Sequence, residues 1–273
     1  EELGLLKMDF LGLRTLTVIR DAETAIQKKE PDFSVAALDY DDPETYKMLG
    51  QGETEGVFQL ESSGMKQVLV GLQPQNLEDV IALISLYRPG PMDSIPTYLR
   101  NRHEPDKISY KTPQLAHILD VTNGCIVYQE QVMQIFRELA GFSFGQADNV
   151  RRAMSKKKHA VMEAEREHFV HGCTEPGHEC PGCVANGISE KVANEIYDEM
   201  SSFASYAFNK SHAACYAYVA FQTAYLKCHY PSEFMAALLT SVLDNTDKVI
   251  EYSGECARLG IKVLPPDVNI SNG

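Results

Sequence analysis

The stretch SHAACYAYVAFQTAYLKC, residues 211–228, decides the fold class because it predicts one long helix. Four alanines recur along it at helical spacing and form a small-residue face that lets another backbone approach closely. They are Ala213, Ala217, Ala220 and Ala224. Periodicity favours helix through most of the remaining chain as well. We therefore predict a mainly α fold.

Other apolar stripes predict further helices. One stripe, Leu77–Ile84, ends before a rigid Arg-Pro-Gly-Pro turn. A second, Val132–Leu139, is closed by Gly141, which is typical of a helix stop. A third helix has Ser189 as its N-cap, and Pro231 opens a fourth.

Strand signals are few and short. They cover residues 5–11, 125–128 and 261–264, the second after an Asn-Gly turn. We interpret the first of these strands, residues 5–11, as part of a different domain. We predict a domain boundary that separates this strand, residues 1–13, from a helical domain over residues 14–273.

Composition excludes several classes of protein. The formal net charge of -13 argues against indiscriminate nucleic-acid binding, and no apolar run reaches the roughly 18 residues of a membrane span. The N-terminus lacks the basic start of a signal peptide, and seven cysteines without such a signal indicate reduced thiols. We expect a cytoplasmic protein. The apolar opening without an initiator Met suggests a piece of a longer chain.

One basic patch contrasts with this acidic background. RRAMSKKKH, residues 151–159, places five positive charges within eight residues, at Arg151, Arg152, Lys156, Lys157 and Lys158. The usual interpretation of such a run is a solvated surface. Adjacent arginines, however, supply forked donors that suit phosphate oxygens.

A second anion site is predicted where the long helix begins. Lys210, Ser211 and His212 lie at its N-terminus, where unpaired N–H groups and the helix dipole favour phosphate. Before it lie side chains that can stack on a base or bond its sugar, namely Tyr206, Phe208 and Asn209. His212 alone could instead be a satisfied core histidine. Together the two sites indicate a triphosphate or a nucleic-acid backbone as the ligand.

The first predicted strand carries Lys7 and Asp9 on one face, because alternate strand residues point the same way. A carboxylate beside an ammonium can hold a divalent metal and a phosphate together. The alternative is a surface strand with an incidental ion pair.

The segment CTEPGHECPGC contains Cys173, His178, Cys180 and Cys183, which could in principle form a tetrahedral zinc site. Two well-separated ligand pairs are absent, however, and two Pro-Gly steps already explain a turn-rich loop. We favour a segment without metal.

Seven segments occur in an order that resembles a known family. They are KMDFLGLRTLTVI, GVFQLESSGMK, LYRPGP, YQEQVMQI, ADNVRRAMSKKK, FNKSHAACYA and EFMAALLTSVLDNTDKV. The succession is similar to the bacterial DNA polymerase III alpha subunit, the C-family replicative DNA polymerase. The match runs nearly end to end, but it covers only the last palm strand and most of a fingers domain truncated at its C-terminal end.

The resemblance implies a DNA-directed DNA polymerase whose three palm aspartates hold two Mg²⁺ ions. Asp9 matches the third aspartate, and Lys7 matches the lysine beside it at the nucleotide phosphates. Arg151 and Arg152 match the arginine pair that approaches the triphosphate. We expect the isolated chain to be inactive, because one carboxylate cannot hold two ions.

The resemblance also implies binding residues and partners. The implied nucleotide-binding residues are Arg151, Arg152, Tyr206, Asn209, Lys210, Ser211 and His212. The implied DNA-binding residues are Arg88, Lys156, Lys157 and Lys158. Expected partners are primer-template DNA, deoxynucleoside triphosphates, the sliding clamp, the clamp-loader tau subunit and a proofreading exonuclease.

Two departures from the family pattern stand out. Ser155 replaces a frequent Gly, which leaves the conformation of the lysine loop open, and residues 173–183 are an insertion without a family role. Two alternative functions are a non-catalytic helical DNA-binding module, and a piece of an error-prone C-family polymerase.

Overall fold

The computed structural model describes residues 8, 12–155, 159–204, 208–265 and 267–269. Over this part of the chain the regular structure consists of fourteen α-helices and five short 3-10 helices. The α-helices are α1 (Arg14–Gln27), α2 (Pro43–Gly50), α3 (Ser63–Leu72), α4 (Leu77–Leu86), α5 (Ile95–His103), α6 (Ala116–Leu119), α7 (Gln129–Ala140), α8 (Phe144–Ser155), α9 (His159–His171), α10 (Gly182–Ala185), α11 (Glu190–Ala204), α12 (Lys210–His229), α13 (Pro231–Ser241) and α14 (Thr246–Arg258). The 3-10 helices are Val35–Ala37, Pro91–Ser94, Pro105–Lys107, Pro113–Leu115 and Asp120–Thr122. The predicted mainly α fold is confirmed.

The helices predicted from periodicity are present with the expected ends. α7 stops at Gly141, which takes the left-handed conformation (φ 74°) and donates its N–H to the carbonyl of Arg137 at 3.0 Å. The Ser189 hydroxyl caps α11 by accepting from the Val192 N–H at 3.4 Å. α12 contains the four alanines of the small-residue face, and each is fully buried.

The strands predicted at residues 125–128 and 261–264 do not form. Among the described residues only isolated bridges occur, between Tyr128 and Phe208 and between Cys173 and Cys180. Residues 125–128 are buried, but the Gln131 side chain, rather than a neighbouring strand, accepts from the N–H groups of Val127 and Tyr128, both at 2.9 Å. At the second site Ile261 donates to the carbonyl of Cys256 at 2.8 Å and so follows the end of α14. The strand predicted at residues 5–11, and with it the boundary at residue 13, falls almost wholly outside the described residues and stays a prediction.

The described chain divides into two compact units. The first unit comprises the residues up to Lys66 and those from Tyr218 onward, and the second comprises Gln67–Ala217. α1, α13, α14 and the later turns of α12 supply the apolar core of the first unit. Its buried members include Val18, Ala22, Leu226, Phe234 and Tyr252.

A buried charge network lies in the first unit. The Lys227 ammonium is inaccessible to solvent, and it donates to the carbonyls of Glu53 and Glu55 at 2.9 and 2.8 Å. It also pairs with the Glu255 carboxylate at 2.7 Å, and Arg258 binds both oxygens of that carboxylate. Burial lowers the pKa of Lys227, although the neighbouring carboxylates act against this. The lysine therefore joins α12, α14 and the turn at residues 53–55 through one charge.

We expect the substitution Lys227→Met to destabilise the chain by roughly 1.5–3 kcal/mol, because Arg258 alone then pairs with the buried Glu255 carboxylate and the carbonyls of Glu53 and Glu55 lose their charged donor. Thermal unfolding followed by circular dichroism measures the effect. Lys29→Met is the matched control, since Lys29 also pairs with a glutamate at 2.7 Å but is 76% exposed. Equal small shifts in the two variants would contradict the assigned role of the buried pair.

The core of the second unit surrounds α7. The rings of Phe136, Phe169 and Tyr197 pack together with centroids 5.0–5.9 Å apart. α8 buries Ala147, Val150 and Met154 against this core. Because an α-helix has 3.6 residues per turn, burying this face turns the residues at 148, 151 and 152 toward the helix edge.

Candidate functional site

The arginine pair predicted from the sequence lies near the end of α8 and shares one carboxylate. Arg151 donates from Nε and Nη2 to Oδ1 of Asp148, at 2.9 and 2.7 Å. Arg152 pairs through Nη2 with Oδ2 of the same carboxylate at 2.7 Å. The hydrogen bond from Arg151 is the largest cause of a lowered pKa at Asp148. The carboxyl is therefore ionised near neutral pH and holds both guanidinium groups.

The two arginines differ in their other surroundings. Arg151 also donates from Nη1 to the side-chain oxygen of Gln129 at 3.0 Å, and its side chain is only 22% exposed. The Arg152 side chain is 65% exposed. The Arg151 side chain thus links α8 to the start of α7, whereas the Arg152 side chain extends toward solvent.

The start of α12 is capped by side chains of the chain itself. Asn209 accepts from the His212 N–H at 2.9 Å, as an N-cap residue does. Its amide nitrogen donates to Glu130 at 2.9 Å, and the Lys210 N–H lies 3.2 Å from each oxygen of the Glu130 carboxylate. A carboxylate therefore occupies the helix start at which the sequence predicted a phosphate. Two of the N–H groups expected to bind phosphate already have partners.

The side chains of the predicted nucleotide set around α12 point in several directions. The Lys210 ammonium pairs with Glu78 at 2.9 Å and lies 5.2 Å from the centre of the Tyr128 ring. Ser211 and His212 are exposed. The His212 ring stacks on Tyr216 at 4.5 Å, so the alternative of a core histidine is wrong.

Arg88 lies beside the same segment. Its guanidinium stacks over the ring of Phe208, 3.9 Å from the ring centre, and that ring meets His212 edge-on at 5.1 Å. Burial lowers the pKa of Arg88 from its ordinary value. An aromatic face attracts a cation, so the Phe208 ring helps to orient the Arg88 guanidinium. The DNA-binding role of Arg88 stays a prediction.

One cleft contains a residue from each of the two predicted anion sites. It has a volume of about 500 Å³ and includes residues of α7, α8 and the start of α12. Its lining residues are Gln129, Glu130, Met133, Gln134, Arg137, Glu138, Phe144, Asp148, Arg151 and Asn209. The cleft therefore contains one arginine of the basic patch and the cap of the long helix.

Three residues of this site, Gln129, Glu130 and Asp148, were missed by the sequence analysis. The pairing of Asp148 with the two arginines could have been predicted from their spacing. Asp148 precedes the arginines by three and four positions, and residues at these spacings are neighbours on a helix. The contacts of Gln129 and Glu130 join segments far apart in sequence and leave no local pattern.

Several predicted site residues lie outside the described part of the chain. They are Lys7, Asp9, Lys156, Lys157, Lys158 and Tyr206. Their assigned roles stay predictions. Within the described residues no group of three or more histidine, cysteine or acidic side chains could hold a metal ion, and no helix there is long and apolar enough to cross a bilayer.

The cysteine segment forms a closed loop. Cys173 and Cys180 exchange two backbone hydrogen bonds of 2.9 Å, and the backbones of Gly172 and Gly182 cross so closely that a Cβ on Gly182 would lie 2.3 Å from the Gly172 nitrogen. Cys183 is fully buried, and burial raises its pKa to about 12. His178 is exposed at the loop tip. Backbone packing thus accounts for the closure of the loop.

We expect the protein purified without chelator to contain far less than one zinc per chain, because a thiol with a raised pKa is a poor source of the thiolate that zinc requires. Elemental analysis measures the content. Stoichiometric zinc that is lost in Cys180→Ser and Cys183→Ser, but kept in the exposed-thiol control Cys215→Ser, would show that this expectation is wrong.

The chain was compared with known protein families. Residues 15–177 match the family model described as the bacterial DNA polymerase III alpha subunit finger domain. This match covers more than half of the chain, and the chain belongs to that family.

Individual relatives extend the similarity over the whole chain. It is 51% identical to the DNA polymerase III subunit alpha of Thermus aquaticus over 99% of its length, and 47% identical to that of Bacillus subtilis over 100%. The corresponding subunit of Staphylococcus aureus is 43% identical over 100%. The chain spans only 22–25% of the length of these relatives.

Proposed function

We propose that the chain is the fingers portion of a DNA-directed DNA polymerase for chromosomal replication, and that its cleft receives the triphosphate of the incoming deoxynucleotide. The observation that carries the proposal is a cleft lined by Arg151, by Asp148, which also pairs with Arg152, and by the α12 cap Asn209, in a chain of the finger-domain family. Phosphate oxygens are bound well by guanidinium groups, whose forked donors match them.

The proposed binding set assigns a physical role to each group. Arg151 and Arg152 would contact the triphosphate. The sugar and base would lie next to Lys210, Ser211, His212, the Asn209 amide and Tyr206. Arg88 and Lys156, Lys157 and Lys158 would contact the primer-template backbone. Phosphate contacts carry no sequence information, which suits an enzyme that must accept all four deoxynucleotides.

The family implies Mg²⁺ bound by palm aspartates, which in nucleotidyl transfer would neutralise charge on the phosphates. Asp9 would be the ligand from this chain. The described residues contain no metal-binding cluster, so the roles that we propose for them are confined to binding and orientation. The wider partners that we propose for the intact enzyme are primer-template DNA, the sliding clamp, the clamp-loader tau subunit and the proofreading exonuclease.

In the intact polymerase, Arg152→Ala should reduce kcat/KM for deoxynucleotide by about ten- to a hundredfold, because one charge-assisted contact is worth roughly 1.5–3 kcal/mol. The reduction should be similar for all four bases. Single-nucleotide incorporation at saturating primer-template measures it. Arg20→Ala is the matched control, since Arg20 is 69% exposed and pairs with an aspartate at 2.8 Å.

A different result for Arg152→Ala would indicate that Arg152 contacts the DNA backbone. In that case the variant would weaken primer-template binding, flatten its salt dependence and leave the nucleotide KM unchanged. Such a result would contradict the proposed triphosphate contact.

Asp9→Asn in the intact polymerase should abolish nucleotide incorporation but leave primer-template affinity largely unchanged. The amide keeps the shape of the side chain and loses the charge that attracts Mg²⁺, at a cost of several kcal/mol in the transition state. Residual turnover above about a tenth of wild type would contradict the assignment. Asp32→Asn, at an exposed aspartate, provides the control.

A further inference from the structure

Asp148 is the common partner of both arginines, and its two oxygens divide between them. Oδ1 accepts two hydrogen bonds from Arg151 in a forked arrangement, and Oδ2 accepts from one terminal nitrogen of Arg152 at 2.7 Å. The Asp148 side chain is 20% exposed. Both oxygens are therefore committed to orienting cations at the edge of α8.

A continuous chain of contacts fixes this arrangement from the core outward. Gln129, in the first turn of α7, accepts from Nη1 of Arg151 at 3.0 Å. Arg151 in turn holds Asp148, and Asp148 holds Arg152. The half-buried arginine is thus engaged along both edges of its guanidinium, whereas the exposed arginine pairs with Asp148 and extends toward solvent.

The arrangement has an electrostatic and an entropic consequence. Two adjacent guanidinium groups repel each other, and one carboxylate between them reduces that repulsion. A long arginine side chain also loses rotamer freedom when it binds a ligand, and a side chain that is already oriented loses less. Orientation before binding therefore favours affinity, although the same carboxylate reduces the net positive charge available to an anion.

We infer that Asp148 is a positioning residue for nucleotide binding: it orients the exposed Arg152 toward the triphosphate before the nucleotide binds. Arg151 and Gln129 connect Asp148 to α7 and so keep this carboxylate in place. The inference rests on the proposed function of the arginine pair. It assigns different tasks to the two arginines, since Arg151 acts mainly as the anchor and Arg152 as the ligand contact. Neither Asp148 nor Gln129 needs to touch the substrate.

The test uses the intact polymerase in single-nucleotide incorporation at saturating primer-template. Asp148→Asn should raise the KM for deoxynucleotide by about threefold to tenfold, with a smaller change in kcat and an unchanged primer-template affinity. Asp148→Glu should recover part of the loss, because a glutamate also pairs with arginines three and four residues away on a helix. Gln129→Ala should raise KM in the same direction, through loss of the anchor.

A double-mutant cycle separates positioning from general stability. In the Arg152→Ala background, Asp148→Asn should change KM by less than about twofold, because the side chain that it positions is gone. Additive effects in the cycle would overturn the inference. Asp198→Asn is the control, since Asp198 of α11 also accepts from an arginine, Arg166 of α9, at 2.6 Å. This variant should leave KM unchanged.

The remaining outcomes distinguish the inference from the function on which it rests. If Arg152→Ala raises KM while Asp148→Asn leaves it unchanged or lowers it, the triphosphate contact stands and the positioning role is overturned. A lowered KM would mean that Asp148 competes with phosphate. If Arg152→Ala alters only primer-template affinity, both the proposed function and the inference fail. Should Asp148→Asn not fold, Gln129→Ala and Asp148→Glu decide between these outcomes.

Discussion

The candidate site depends on the side-chain contacts made by the first turn of α7. Three consecutive side chains there bond to three different segments. Gln129 holds Arg151 of α8, Glu130 holds the cap of α12, and Gln131 accepts from the backbone that leads into α7. Because the apolar face of α7 is buried in the core of the second unit, these polar contacts extend from a well-packed helix. The geometry of the cleft therefore follows from core packing.

Charge balance explains why a strongly acidic chain can carry a concentrated basic site. Arg151 and Arg152 share Asp148, and the Lys210 ammonium pairs with Glu78. Such pairs keep cations oriented without a ligand. At physiological ionic strength a charge acts over roughly 8 Å, so the net charge of -13 has little influence on what the cleft attracts.

The sequence predicted several helices well because they bury an apolar face and so carry a 3.6-residue period. α7 is an example, and Gly141 marks the end of that helix through a backbone conformation that glycine adopts easily. In α12 the helical spacing of four alanines, all buried, gave the signal instead. The stretch at residues 125–128 was predicted wrongly as a strand. A buried apolar run has the same local signal whether its N–H groups meet a partner strand or, as in this chain, the side chain of Gln131.

The candidate site was predictable only in part. The basic patch and the α12 start were visible, since charge clustering and helix starts are local properties of sequence. The partners of those groups were not, because the contact between Glu130 and Asn209 joins residues 79 positions apart. A carboxylate at a helix start satisfies the same donors as a phosphate, so the sequence could not show which anion the folded chain places there.

The closed cysteine loop has a consequence for how this domain can be studied. Its base is fixed by the paired backbones of Cys173 and Cys180 and by the close crossing of two glycines, while residues 174–179 are all exposed. Extra residues at such a tip lengthen a closed loop at little entropic cost, and they leave the helices at its base in place. The tip is therefore a natural position for a genetically inserted fluorophore or affinity peptide.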